Sequence, residues 1–339
     1  MQIRHFIFSL IILFPVSLFS QDTLPVMEDF SAYANYGDAS GVKRYATQKV
    51  LNQTPSRIVS VGYEWQTAFD MPDVPLGEML PAFQDVEVNQ VRGLRMQVNV
   101  PVISNDRIIW QMGANYWGSR FDFANSVANG QVKALSSPGL ITAGINTTIF
   151  KPLDEKHLLI FQASADLNGA FRDAKDVSSK GITYSATAIY GWKTSDKNII
   201  GTGLARTYRA GQQIYVPVFL WNRTFSDKWG MELLLPARGH LRRNFSTGSM
   251  LQLGYELEGN QYHIPGGNSF LQRGEFKPRL IWDQKIAGFI WLQMQAGMRF
   301  NWRFDMMKKY DGKEESDRFF TSYLRNPFYF GFSLNFVSP

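Results

Sequence analysis

The sequence predicts an all-β fold, a closed antiparallel transmembrane β-barrel of about fourteen strands with both termini periplasmic; about twelve strands is the alternative. Apolar and polar residues alternate with period two through most of the chain after residue 55, and no segment of comparable length repeats every 3.6 residues. Short and long connections alternate along the chain, as in barrels whose hairpin turns face the periplasm and whose loops face outward. Tryptophans stand at strand ends, where an apolar ring meets lipid and its N–H meets head groups and water.

Taken from the N-terminus, Met1 to Ser20 combines a basic start (Arg4, His5), an apolar run from Phe6 to Phe19 and a small residue before Gln21. That is the layout of a cleaved secretory signal, and the run is shorter than the ~20 residues of a spanning helix. Residues 21–55 are polar and weakly patterned, and read as a periplasmic lead-in or a small plug; the barrel occupies 56–339. The chain contains no cysteine, which excludes disulfides, thiol catalysis, cysteine metal sites and a lipid-modified N-terminal cysteine. The net charge of +6 arises from Lys and Arg scattered singly, without the basic block that lines a nucleic-acid groove, so no nucleic-acid partner is expected. Aromatic residues at 14% against charged residues at 19% lean toward lipid contact.

The strands follow in order. Leu94, Met96, Val98, Val100 and Val102 alternate with Arg95, Gln97 and Asn99; Ile108, Trp110, Met112, Ala114 and Tyr116 alternate with Gln111, Gly113 and Asn115. Leu159–Leu167, Ile182–Tyr190, Leu251–Leu257 and Ile290–Trp302 repeat the pattern. Short turns are expected at Ser104–Asp106, Lys151–His157, Lys193–Asn198, Phe225–Lys228, Ser246–Gly248 and Asp283–Gly288. Longer connections are expected near 67–91, 119–138, 171–180, 260–269 and 305–325. One ambiguity concerns 229–244. A single strand there would put the chain ends on opposite sides; splitting it at Pro236 restores an even count and places every turn on its expected side. The cost is two strands shorter than the 9–11 residues usual for a span. Pro217 and Pro278 fall inside predicted strands and lack a ladder donor.

The final strand carries an aromatic stripe, Phe328, Phe330, Phe332, Leu334 and Phe336, opposite Tyr329, Gly331, Ser333 and Asn335. Tryptophan placement turns the stripe toward lipid, and an open lipid-facing edge is not tolerated, so this strand is expected to close the sheet against Arg57–Trp65. The interfacial girdle is assigned to Trp65, Trp110, Trp117, Trp192, Trp221, Trp229, Trp282, Trp291 and Trp302.

The start ending in Ser20-Gln21, the run Met231-Glu-Leu-Leu-Leu-Pro with Arg243-Asn-Phe-Ser, the strand Leu253-Gly-Tyr-Glu-Leu-Glu-Gly and the aromatic last strand resemble a family of outer-membrane β-barrels of unknown function, found mainly in the Bacteroidota. The resemblance covers most of the chain after residue 55. It implies an integral outer-membrane barrel and transfers no catalytic or binding residue.

Selectivity can reside only on the inward face. Arg95, Glu256, Glu258, Arg273, Glu275, Lys277, Arg299 and Arg303 are the pore-lining candidates. Pairing of neighbouring strands is expected to bring Glu256, Glu258, Arg273, Glu275 and Arg299 together in the outer half of the lumen. Such a cluster is either a charged constriction that sorts solutes or a salt-bridge network that fills the barrel. No catalytic group, cofactor or metal is expected. His157, His240 and His263 are scattered, His240 being the best base for a barrel lipid hydrolase, and Asp311–Asp317 lacks calcium-loop spacing. The expected function is a channel or transporter for small solutes across the outer membrane. The alternatives are a non-conducting structural or assembly barrel and, behind it, the hydrolase. Expected partners are outer-membrane lipid, lipopolysaccharide and the barrel-assembly machinery.

Overall fold

Alternation with period two puts one face of every strand against lipid, and strands with no free edge must close into a ring. The computed structural model, which describes residues 46–72, 86–127, 130–173, 176–265, 269–310 and 312–337, has this form. The chain divides into units 1–43 and 44–339, of which the second is described; the secretory signal at 1–20 and the first part of the 21–55 segment lie outside the described residues. Among the described residues no helix is long and apolar enough to cross a membrane.

The elements are β1 (Arg57–Gln66), β2 (Phe69–Met71), β3 (Val86–Asn105), β4 (Ile108–Phe123), the short helix α1 (Gly130–Lys133), β5 (Leu140–Pro152), β6 (His157–Gly169), β7 (Ile182–Ser195), β8 (Asn198–Thr207) and β9 (Ile214–Thr224). They continue with β10 (Trp229–Leu235), β11 (Arg238–Ser246), β12 (Ser249–Ile264), β13 (Ser269–Ala287), β14 (Ile290–Met298), β15 (Phe300–Met307), β16 (Arg318–Thr321) and β17 (Phe328–Val337). Antiparallel pairing runs from β1 through β3 and each successive strand to β14, then to β17, and β17 returns to β1. This closes a 14-strand barrel. β2 and β16 are short additions at the long-loop end, and β15 continues β14 after a break at Arg299.

The two-residue turn at 236–237 separates β10 from β11, so the split at Pro236 is correct. Both prolines sit where the ladder is already interrupted. β10 reaches only as far as Phe219 on β9, below Pro217; Pro278 faces the gap between β14 and β15, where the N–H of Arg299 turns away to Pro327 O at 3.0 Å. One expected loop is mostly strand: β12 and β13 pair without interruption to Ile264↔Ser269, which leaves a tip of only 265–268 in place of 260–269.

The outer face is apolar. Phe328, Phe330, Phe332 and Leu334 are 41–58% exposed, while Tyr329 and Asn335 behind them are fully buried, and Arg57↔Val337 through Gln66↔Tyr329 closes the ring as expected. Trp65 stacks on Phe330, and Trp110, Trp192, Trp221, Trp229 and Trp282 lie on the outer side near the short turns, with Trp302 outward near the loops. Two girdle assignments fail. Trp117 follows the outward Tyr116 and therefore points inward, with the Arg95 guanidinium 4.3 Å from its ring. Trp291 shares the inward face of β14 with Gln293 and packs on Met250 and Val337.

The ring narrows toward the long-loop end. β11 stops at Arg238↔Glu256, and the tip of β12 crosses to β6 in a parallel bridge, His263↔Gly169, with the Ala170 N–H bonded to His263 O at 3.0 Å. β7–β11 thus drop out, leaving about nine strands and a backbone ring about 18 Å across, against about 28 Å for the full barrel. A ring of that smaller size is one that side chains fill.

Candidate functional site

Three layers of side chains occupy the lumen. The middle layer is charged and sits where the ring narrows. Inward parity brings Glu64 from β1, Arg95 from β3, Glu258 from β12, Arg273, Glu275 and Lys277 from β13, and Arg299 from the β14–β15 break to one place. Lys277 Nζ lies 2.9 Å from Glu258 Oε2 and 3.4 Å from Glu64 Oε2; Arg95 Nη2 lies 2.5 Å from Glu258 Oε1 and 3.6 Å from Glu64 Oε2. Arg299 binds Glu64 and Glu275 and lies 3.2 Å from Glu258 Oε2, while Arg273 donates to Glu275 Oε1 at 2.6 Å. Lys277 and Arg299 are fully buried and Glu64 is 3% exposed. The rings of Trp117 and Tyr329 cover the cations: Arg273 and Arg299 lie 5.8 and 5.7 Å from Trp117, and Lys277 and Arg299 lie 4.7 and 5.3 Å from Tyr329. Dense mutual pairing is the condition for holding charges out of water.

Toward the loops the lumen is apolar. Val88, Val91, Phe121, Leu140, Tyr262, Leu271, Phe304 and Met306 meet Val132, Leu135, Phe320 and Leu324 from the connections. Complete burial of each large side chain stabilises by about 1.5–3 kcal/mol, which makes this mouth a packed core. At the short-turn end, residues 46–54 lie across the lumen. Ala46 and Val50 pack on the inward residues Phe150, Leu158, Ile189, Ile199, Val218 and Leu220. Lys193 Nζ binds Thr47 Oγ1 and reaches Lys49 O at 3.2 Å, Thr224 Oγ1 donates to Leu51 O at 2.5 Å, and Glu232 Oε1 accepts from Thr54 N and Oγ1 at 3.0 and 2.8 Å.

Of the pore-lining candidates, Arg95, Glu258, Arg273, Glu275, Lys277 and Arg299 meet in the middle layer. Glu256 belongs instead to a neighbouring group, 2.8 Å from Arg279 Nη2 and 3.5 Å from Arg209 Nη1. Arg303 stands apart, 3.6 Å from Asp305, because the irregularity at Gly274/Glu275 shifts β15 by one position. Glu64 is the partner that sequence reasoning missed; its signal is the pairing of β1 with β17, which sets Glu64 opposite Gly331 on the inward side. His240 is buried, with its Nε2 3.4 Å from Arg279 Nε, and among the described residues no serine, threonine or tyrosine hydroxyl is hydrogen-bonded to it.

A family model described as a domain of unknown function (DUF6268) matches residues 91–336. The chain belongs to this family. No curated protein matches. Among solved structures, a FadL homologue of Pseudomonas aeruginosa is similar at 10% identity and TM-score 0.41, covering 83% of this chain and 90% of that one. An outer membrane channel of Pseudomonas putida F1 is similar at 10% identity and TM-score 0.35, with 84% and 97% covered. The toluene transporter TodX of Pseudomonas putida is similar at 7% identity and TM-score 0.34, with 86% and 94% covered.

Proposed function

We propose that this integral outer-membrane barrel is a gated channel for small solutes, closed in the form described. The observation that carries the proposal is the middle layer. Charged groups from five separate strand segments converge where the ring begins to narrow, and four cations (Arg95, Arg273, Lys277, Arg299) face three carboxylates (Glu64, Glu258, Glu275). A filler needs no charge, whereas a constriction that sorts solutes by sign does. The segment 46–54 adds a second obstruction, held to the wall by side-chain hydrogen bonds, by two backbone hydrogen bonds (Ala46 N to Asp154 O, Leu51 N to Asp196 O) and by two buried apolar residues.

The test is swelling of liposomes carrying the purified barrel, with small neutral, anionic and cationic solutes. Wild-type protein is expected to admit solute slowly, and Lys193→Ala with Glu232→Gln faster. Failure of every folded form to exceed protein-free liposomes would sink the channel reading. The apolar core in the loop-end mouth favours a second reading, a non-conducting structural barrel, and that same result would establish it.

A further inference from the structure

The barrel wall has a step. β8–β11 contain 10, 11, 7 and 9 residues, against 16 and 19 for β12 and β13. At ~3.4 Å per residue and a tilt near 40°, β10 climbs only about 18 Å of the ~30 Å hydrocarbon thickness. The rim of β10 and β11 therefore ends at the depth of the outer leaflet.

Charged groups gather at this rim. Arg238 opens β11, and Glu256 is its register partner on β12. Arg279 of β13 lies 2.8 Å from Glu256, and Arg209, from the β8–β9 connection, lies 3.5 Å from it. Arg209 also donates to the Leu257 carbonyl at 2.5 Å, on the β12 edge that opens once β11 has ended. Arg238 is exposed and its guanidinium has neither hydrogen bond nor ion pair among the described residues, although it lies within the field of Glu256, Arg209, Glu232 and Arg279. The nearby Glu232 is matched by Arg242 at 3.4 Å, so three guanidiniums share Glu256, a local excess of two positive charges. At membrane depth such an excess calls for an anion, and the planar guanidinium fork matches phosphate and carboxylate oxygens.

We propose that Arg209, Arg238 and Arg279 form an oxyanion site at this step, taking a phosphate or carboxylate group. Glu256 fixes the spacing of Arg209 and Arg279, and Arg238 supplies the free donors. The oxyanion arrives either as a soluble solute or as the head-group phosphate of a lipid in the adjoining leaflet. The site does not depend on the channel reading, because binding needs no conductance.

The test uses the full barrel purified in a non-ionic detergent. One arm titrates inorganic phosphate by calorimetry. The other measures retention of phosphatidylglycerol over phosphatidylcholine by native mass spectrometry. Arg238→Gln and Arg209→Gln are compared with wild type, each checked for closure by heat-dependent gel mobility. Arg243→Gln, on the outer face at the far end of β11, is the control. Wild type is expected to bind in at least one arm, and loss of one charge-assisted contact to weaken binding about tenfold or more. Phosphate binding identifies a soluble anion; phosphatidylglycerol retention alone identifies a head group. Absence of binding in both arms, or wild-type binding by both folded variants, overturns the proposal.

Discussion

Replacing Glu64 by Gln keeps the shape of the side chain and removes the charge at the centre of the lumen. Glu64 meets Lys277 at 3.4 Å and Arg95 at 3.6 Å and binds Arg299, and the change leaves four cations facing two carboxylates. Each pair is worth roughly 5 kcal/mol in gross attraction at an effective dielectric near 20, most of it offset by desolvation. Breaking a buried pair by removing one partner costs about 3–5 kcal/mol, since the abandoned cations stay buried. At ~1.4 kcal/mol per decade this lowers the folding constant about 140- to 3,700-fold. Urea unfolding in detergent micelles, followed by tryptophan fluorescence and heat-dependent gel mobility, reads the loss. Arg325→Ala, at an exposed pair with Asp70, should leave the midpoint unchanged. A loss below about 1 kcal/mol for Glu64→Gln would mean that water reaches the cations, and would refute the closed middle layer.

Lys193→Ala combined with Glu232→Gln should loosen residues 46–54, by deleting the Lys193 contacts to Thr47 and Lys49 and removing the charge from the acceptor of Thr54, and should raise tryptic cleavage after Lys49 about tenfold, read by mass spectrometry. Phe332→Arg, on the lipid face at 58% exposure, should lower stability in lipid vesicles by about 2–4 kcal/mol in a urea titration. The Asp154 carboxyl in the β5–β6 turn is drawn down to about 2, first by the His157 ring and then by the backbone N–H groups of His157 and Lys156. Because that value lies below the ordinary carboxylate range, the turn keeps this support above about pH 4 and loses it as the pH falls through about 2. Protection of the Ala46 amide, bonded to Asp154 O, should fade over this interval by hydrogen exchange, and the acid dependence should vanish in Asp154→Asn.

The wall of the barrel was legible because lipid imposes one rule on every strand. Alternation from Leu94 to Val102 or from Phe328 to Phe336 states which side faces out, and parity of the chain ends forced the break at Pro236. The same rule, applied residue by residue, would have turned Trp117 and Trp291 inward; reading tryptophans by their closeness to strand ends ignored their parity. The candidate site was legible on β12, β13 and Arg299, where charges lie on adjacent strands. Glu64 was hidden because two of its partners, Lys277 and Arg299, come from the other end of the chain and meet it only when the ring closes. The step at β8–β11 was hidden for a different reason. The sequence shows that β10 and β11 are short, but the bridge from β12 to β6 depends on the β12–β13 hairpin outgrowing its neighbours, a long-range packing event with no local motif. Arg303 was misplaced by the one-position shift in β15, to which periodicity is blind.

The account is tested most directly by single-channel recording in planar bilayers, comparing wild type with Glu64→Gln and with the Lys193→Ala, Glu232→Gln pair, each first shown to be folded. Wild type should be silent for most of the record with rare openings, and the variants should open more often, with an altered preference between cations and anions for Glu64→Gln. A flat baseline for all three folded proteins, or a wild-type pore standing open with the conductance of a wide porin, would contradict it.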